Sequence, residues 1–166
     1  MKVLVSAASR HGSTAEIADF IGRTLGETLR TRHLDVEIDV RPAEQVTDVD
    51  SYDAVVLGSA LYMGHWLDPA RRLARSQAAT LADRAVWLFS SGPVGNPPKP
   101  QDDSVDVEPL MLATKAREHR QFSGKIDRQE LDFGETATML SQRLPEGDFR
   151  DWAAIQTWTA AIAEAL

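Results

Sequence analysis

Val3, Leu4 and Val5 are consecutive apolar residues, the pattern of a strand buried on both faces in a parallel sheet. From Ser13 the period changes. Ala15, Ile17, Ala18, Phe20, Ile21, Leu25 and Leu29 recur at helical spacing, so a helix is expected from Ser13 or Thr14, either able to cap it, to about Arg32. Val36, Ile38 and Val40 alternate with Glu37 and Asp39, which predicts a strand with one exposed face or an edge position. Ala54 to Gly58 is a second fully apolar strand, broken by Ser59 to Gly64. Asp68 as cap and Pro69 in the first turn then open a helix to about Gln77. Ala85 to Phe89 is a further strand running into a Gly/Pro-rich turn. The prolines at 97, 98 and 100 and the acidic residues after them mark an insertion over about 97–119, with a short helix near 110–117, before a fifth strand at 121–126. Trp152, Ile155, Trp158, Ile162 and Leu166 form one apolar stripe of a terminal helix, where both tryptophans read as core.

Strands alternating with helices imply right-handed crossovers and a doubly wound α/β sheet. The chain has 166 residues, the size of one compact domain. No run reaches the roughly 20 apolar residues of a membrane span, and MKVLVSAAS runs into a turn and a helix pattern instead of a signal cleavage site, so a cytoplasmic chain is expected. The absence of cysteine excludes a disulfide framework, a thiolate nucleophile and an iron-sulfur cluster. A net charge of -7 argues against a general nucleic-acid surface. No histidine or carboxylate pair has convincing ligand spacing, so no metal is expected.

In an open parallel sheet, ligands gather beyond the carboxyl ends of the strands, where strand order reverses. Each apolar strand ends there in an unusual loop. After the first come Ser9, Arg10, His11, Gly12, Ser13 and Thr14, which combine hydroxyls, successive backbone N-H groups, a glycine and a helix N-terminus. These are the parts of an anion cradle. The loop lacks the Gly-Lys-Ser/Thr of a nucleotide-hydrolysing phosphate loop and the spaced glycines of a dinucleotide fingerprint. Hydroxyls and amides without a lysine suit a phosphate monoester that stays bound. A plain serine-capped turn is the simpler alternative, and for Arg10 a solvated loop position. The second loop is Ala60, Leu61, Tyr62, Met63 and Gly64; the third is Ser91, Gly92, Pro93, Val94 and Gly95. His65 reads more simply as a helix-entry residue than as a candidate proton donor. The acidic run 102–108 reads as a solvated loop.

Ser9-x-x-Gly12-x-Thr14, the aromatic second loop and Ser91-Gly92-Pro93 together resemble the flavodoxin-like flavoproteins. More narrowly, residues 59–65, 122–127 and 147–152 are similar to segments of the flavodoxin-domain family that includes menaquinone-dependent protoporphyrinogen oxidases. The resemblance implies a five-stranded parallel sheet in the order 2-1-3-4-5 and non-covalently bound FMN. Its phosphate would sit on residues 9–14, with the ring between 60–64 and 91–95. Tyr62 or Leu61 would cover a ring face, and backbone N-H groups of the third loop would meet the pyrimidine edge. The chemistry would reside at flavin N5, with no side-chain base compelled. Short flavodoxins commonly surround the flavin with acidic loops, whereas Arg10, His11 and His65 fall on or beside this site. Positive charge there would stabilise the reduced flavin anion and raise its potential. The expected function is therefore an FMN oxidoreductase passing electrons from a reduced organic substrate, protoporphyrinogen being the family's example, to a quinone. The competing expectations are an electron carrier docking a redox partner protein, and a domain binding another phosphate-bearing ligand. A homodimer is compatible with either of the first two.

Overall fold

The computed structural model describes residues 1–92, 106–141 and 143–166. Strand β1 (Lys2–Ala8) leads to α1 (Ser13–Thr31), followed by β2 (Glu37–Pro42), β3 (Ala54–Tyr62) and a short return strand β4 (His65–Trp66). Next come α2 (Asp68–Ser76), a single turn α3 (Ala78–Leu81), β5 (Ala85–Ser91), α4 (Val107–Thr114) and β6 (Glu118–Phe122). A two-stranded ribbon of β7 (Lys125–Ile126) and β8 (Gly147–Asp148) encloses α5 (Phe133–Ser141), and α6 (Trp152–Ala165) follows.

The parallel strands run in the order β2-β1-β3-β5-β6, with β4 antiparallel on β3. Counting parallel strands alone, this is 2-1-3-4-5, the flavodoxin order. The continuous apolar runs are explained by what covers them. Val3, Val5, Val56 and Phe89 face Ile17, Ile21 and Leu25 of α1 and Ile155, Trp158 and Ile162 of α6. Leu4, Val55, Leu57 and Leu88 face Ala70, Leu73 and Ala74 of α2 and Leu110 of α4. Each central strand therefore buries alternate residues into opposite layers. At Gly58 the packing admits no side chain, because a Cβ would lie 2.2 Å from the Phe89 ring.

Several sequence expectations shift. The fifth parallel strand is Glu118–Phe122, so it begins inside the expected insertion and ends well before residue 126; Lys125 and Ile126 instead pair with β8. Gly124 packs close on the Gly92 backbone at this break. The helix at 107–114 supplies the crossover into that strand. Leu67, and not Asp68, is the cap of α2; Asp68 lies in the first turn and pairs with Arg71 and Arg72. Trp158 is core, while Trp152 is half-buried against Phe20, ring centroids 5.1 Å apart.

Candidate functional site

Strand register assembles the three loops. Ala8 pairs with Ser59, Ser59 with Ser90 and Ala60 with Ser91, so the ends of β1, β3 and β5 lie side by side. This is the edge where β1 and β3 send their following helices to opposite layers.

The first loop ends on Gly12, the N-cap of the 19-residue helix α1, at φ 90°. A residue with a side chain is strained in this left-handed region. The expected cap by Ser13 or Thr14 does not form, and among the described residues no side-chain hydrogen bond caps this end. Ser9 instead accepts a hydrogen bond from Gly12 N-H at 3.0 Å, tightening the turn that precedes the helix. The first backbone hydrogen bond into the helix is Glu16 N-H to Gly12 carbonyl. The N-H groups of Ser13, Thr14 and Ala15 therefore have no intrahelical acceptor. A Cβ built on Gly12 meets nothing within 4 Å, so space opens beside those amides. Uncapped amides, the positive end of the helix dipole and two adjacent hydroxyls fit a phosphate group.

Arg10 and His11 are not free cations pointing into this space. Glu135, 7% exposed, accepts from His11 Nε2 at 2.7 Å and pairs with Arg10 Nε at 3.2 Å. Arg10 also approaches Asp132, and its guanidinium lies 4.7 Å from the Tyr62 ring centroid. Glu135 is fixed by a capping box at the start of α5. Its N-H donates to Asp132 Oδ1 at 2.7 Å, and Asp132 N-H donates back to Glu135 Oε1 at 3.3 Å. The bond from the Glu135 backbone is the main cause holding the Asp132 carboxyl below its usual range. The expectation of uncompensated positive charge beside a flavin is thus corrected, because α5 brings carboxylates to the same loop.

The second loop is a hairpin, not a simple strand break. Leu61 pairs with Trp66 and Tyr62 with His65 across Met63 and Gly64, whose φ values are 53° and 76°. Two left-handed residues are what a tight type I′ turn requires. Tyr62 and Met63 project at the tip, 37% and 63% exposed. His65 Nδ1 lies 3.2 Å from Asp106 Oδ2, which also accepts from Trp66 N-H at 3.0 Å. Asp106 is buried, so this part of the acidic run is an internal acceptor and not a solvated loop residue. Below the hairpin, Trp66 Nε1 donates to Ser90 Oγ at 2.8 Å, and Leu67 N-H donates to Ser59 Oγ at 2.8 Å.

Of the third loop, Ser91 is buried and Gly92 has φ 114°, its added Cβ reaching Leu61 Cβ at 3.6 Å. The second and third loops therefore leave the sheet side by side, since Ala60 pairs with Ser91. Gly92 N-H is committed to the Phe122 carbonyl at 2.8 Å, and its carbonyl accepts from Gln121 Nε2 at 2.8 Å. This amide does not point at a ligand, as the sequence reading had expected of third-loop N-H groups. Pro93, Val94 and Gly95 lie outside the described residues.

Sequence reasoning missed Asp132, Glu135, Asp106 and Arg150. The spacing Asp132-x-x-Glu135 is a legible capping-box signal. Arg150 has no such local mark, since it reaches Ser13 and Glu16 across more than 130 positions of sequence.

Among the described residues no helix is long and apolar enough to cross a membrane. A family model described as a flavodoxin domain matches residues 4–150. The protoporphyrinogen IX dehydrogenase [quinone] of Escherichia coli K12 is 27% identical over 116 residues, covering 67% of this chain and 61% of that protein. The matched region thus spans less than two thirds of the relative's length. Oxidised flavodoxin 1 from Bacillus cereus superposes with TM-score 0.64 at 15% identity, covering 100% of this chain and 99% of that one. A flavodoxin from the domain Archaea gives 0.63 at 16% identity, covering 99% and 98%. With its sheet order, its strand-end loops and this match over most of its length, the chain belongs to the flavodoxin-domain family.

Proposed function

We propose that this protein is an FMN-binding oxidoreductase that passes electrons from a reduced organic substrate to a quinone. Membership of the family implies a flavin, generally FMN. The observation that carries the assignment to this chain is the uncapped N-terminus of α1, with Gly12 left-handed and open space beside the amides. Ser9, Arg10, His11, Gly12, Ser13 and Thr14 hold the phosphate in this reading. Its principal contacts are the amides and hydroxyls of Ser13 and Thr14, while Ser9 shapes the turn. When bound, FMN supplies a two-electron acceptor at N5. Ala60, Leu61, Tyr62, Met63 and Gly64 form one wall of the ring site, and Ser91 and Gly92 form the other. Pairing of Ala60 with Ser91 sets the spacing of the two walls. Tyr62 is held by Arg10, which is held in turn by Glu135, so one aromatic wall is braced by the phosphate loop itself.

The quinone acceptor is supported by the E. coli relative, whose name states quinone as its partner; protoporphyrinogen as donor rests on the same 27% identity. A second reading, an electron carrier docking a partner protein, is favoured by one structural observation. Arg10 and His11 are paired with Glu135 and Asp132, so the local charge is closer to that of a low-potential carrier than the sequence suggests. His65 Nδ1 is tied to buried Asp106, which fixes the orientation of this half-exposed ring beside the second loop.

Anaerobic reduction of the FMN-loaded protein followed by mixing with a quinone panel separates the two. Multiple-turnover quinone reduction with a porphyrinogen or another small organic donor supports the enzyme. Exchange confined to protein redox partners, with no quinone turnover, contradicts it in favour of the carrier.

A further inference from the structure

We propose that Arg150 is a positioning residue for the phosphate loop, locking the first turn of α1 and cancelling the Glu16 carboxylate where the FMN phosphate must bind. The inference rests on the FMN reading above. Arg150 belongs to none of the three loops, yet its side chain is 5% exposed and its donors converge on α1 from the far end of the sequence. Nε and Nη2 bind the Asp148 carboxylate at 2.9 and 2.7 Å, a bidentate fork anchored on β8. Nη1 donates to the Ser13 carbonyl at 3.1 Å and also binds Glu16. The guanidinium lies 4.7 Å from the Trp152 ring centroid, and Trp152 packs on Phe20 one turn further along α1.

Asp151 completes the anchor. It caps α6 by accepting from Ala154 N-H at 2.9 Å, which fixes the chain on the other side of Arg150. The Ser13 carbonyl is therefore held by a guanidinium that is itself anchored on Asp148 and Trp152. Ser13 is the first helical residue, and its N-H and that of Thr14 are the donors that an anion at this end would use. Moving Ser13 re-aims both.

Charge supplies the second half of the argument. Glu16 sits in the first turn of α1, a favourable place for a carboxylate on an isolated helix and an unfavourable one beside a phosphate dianion. Arg150 offsets that carboxylate while its own delocalised charge remains on the side away from solvent. Only a guanidinium satisfies Asp148, the Ser13 carbonyl and Glu16 together, because an ammonium lacks the planar fork.

The test compares FMN with riboflavin, which carries the same ring and lacks the phosphate. Dissociation constants from flavin-fluorescence quenching are measured for the wild type, Arg150→Lys, Arg150→Ala and Arg150→Ala/Glu16→Gln, with far-UV circular dichroism melts on each. The wild type is expected to bind FMN more tightly than riboflavin. Arg150→Ala should weaken FMN roughly tenfold or more while changing riboflavin by less than about threefold. Arg150→Lys should fall between, and Glu16→Gln should recover part of the FMN loss in the alanine background. If Arg150→Ala does not fold, Arg150→Lys carries the same comparison. Equal loss of both flavins in the folded variants, or no loss of either, overturns the proposal while the FMN reading stands. A wild-type chain that takes up no flavin overturns the reading and the proposal together.

Discussion

His11 Nε2 lies 2.7 Å from Glu135 Oε2, and the same carboxylate oxygen is 3.2 Å from Arg10 Nε. A buried glutamate from the N-terminus of α5 thus balances the cationic part of the first loop. Glu135→Gln keeps an acceptor for the Asp132 N-H and so preserves the capping box, while removing the negative charge. With only the exposed Asp132 left to Arg10 as counter-charge, the bound flavin should be reduced at a more positive potential and FMN should bind more tightly. Redox titration with indicator dyes measures the first, equilibrium titration the second. An unchanged potential would show that the flavin does not sense this pair.

Gly58 has a steric and not a conformational role. A Cβ there would overlap the Phe89 ring, with ring atoms at 2.2 to 2.5 Å, and Phe89 cannot retreat because it is packed edge-on by Trp158, centroids 6.2 Å apart. Gly58→Ala should cost about 1–3 kcal/mol, lowering the thermal midpoint by roughly 5 °C. A calorimetric midpoint equal to that of the wild type would contradict this packing.

Acid stability should follow the paired aspartates. Hydrogen bonds from Arg150 hold the Asp148 carboxyl below its usual range. For Asp39, burial pushes upward, but hydrogen bonds from Tyr52 and Arg41 outweigh it and the net shift is down. A carboxyl with a depressed folded pKa stabilises the fold above its unfolded value of about 3.9, and that contribution disappears as pH falls through the folded value. The urea midpoint should therefore drop steeply below about pH 4, and Arg150→Ala should flatten part of that drop.

At the other extreme, burial and then the hydrogen bond to Asp39 push the Tyr52 hydroxyl up to about 12. Its stabilising contribution is complete below the unfolded value near 10 and is lost as pH rises toward about 12. Tyr52→Phe should remove this alkaline component; an identical alkaline profile in the variant would place the titration elsewhere.

The central sheet was legible because apolar runs such as 54–58 and 85–89 are buried on both faces, leaving no periodic ambiguity to resolve. The glycine-led start of α1 was legible for the same local reason, since Gly12 and its hydroxyl neighbours stand between a strand and a helix. What escaped depends on distant partners. The fifth strand, Glu118–Phe122, contains Glu118, His119, Arg120 and Gln121, polar residues that no periodicity marks as strand; it is set by pairing with β5. The second loop was read as a break because Tyr62 to Gly64 looks like a turn, whereas β3 runs on to Tyr62 and returns through a hairpin. The charge of the site was misjudged because Arg10 and His11 are adjacent in sequence, while Glu135 arrives from another element. Gly12→Val would be a compromised probe of the site, because φ 90° strains any side chain there and folding would suffer with binding.

Titration of the purified wild-type chain with FMN, followed by visible absorption and fluorescence quenching, tests the central claim most directly. One FMN per chain should bind saturably, more tightly than riboflavin, and Ser13→Ala/Thr14→Ala should weaken it in a folded variant. A folded wild-type chain that takes up no FMN, or binds FMN and riboflavin equally, would contradict the phosphate cradle at the start of α1.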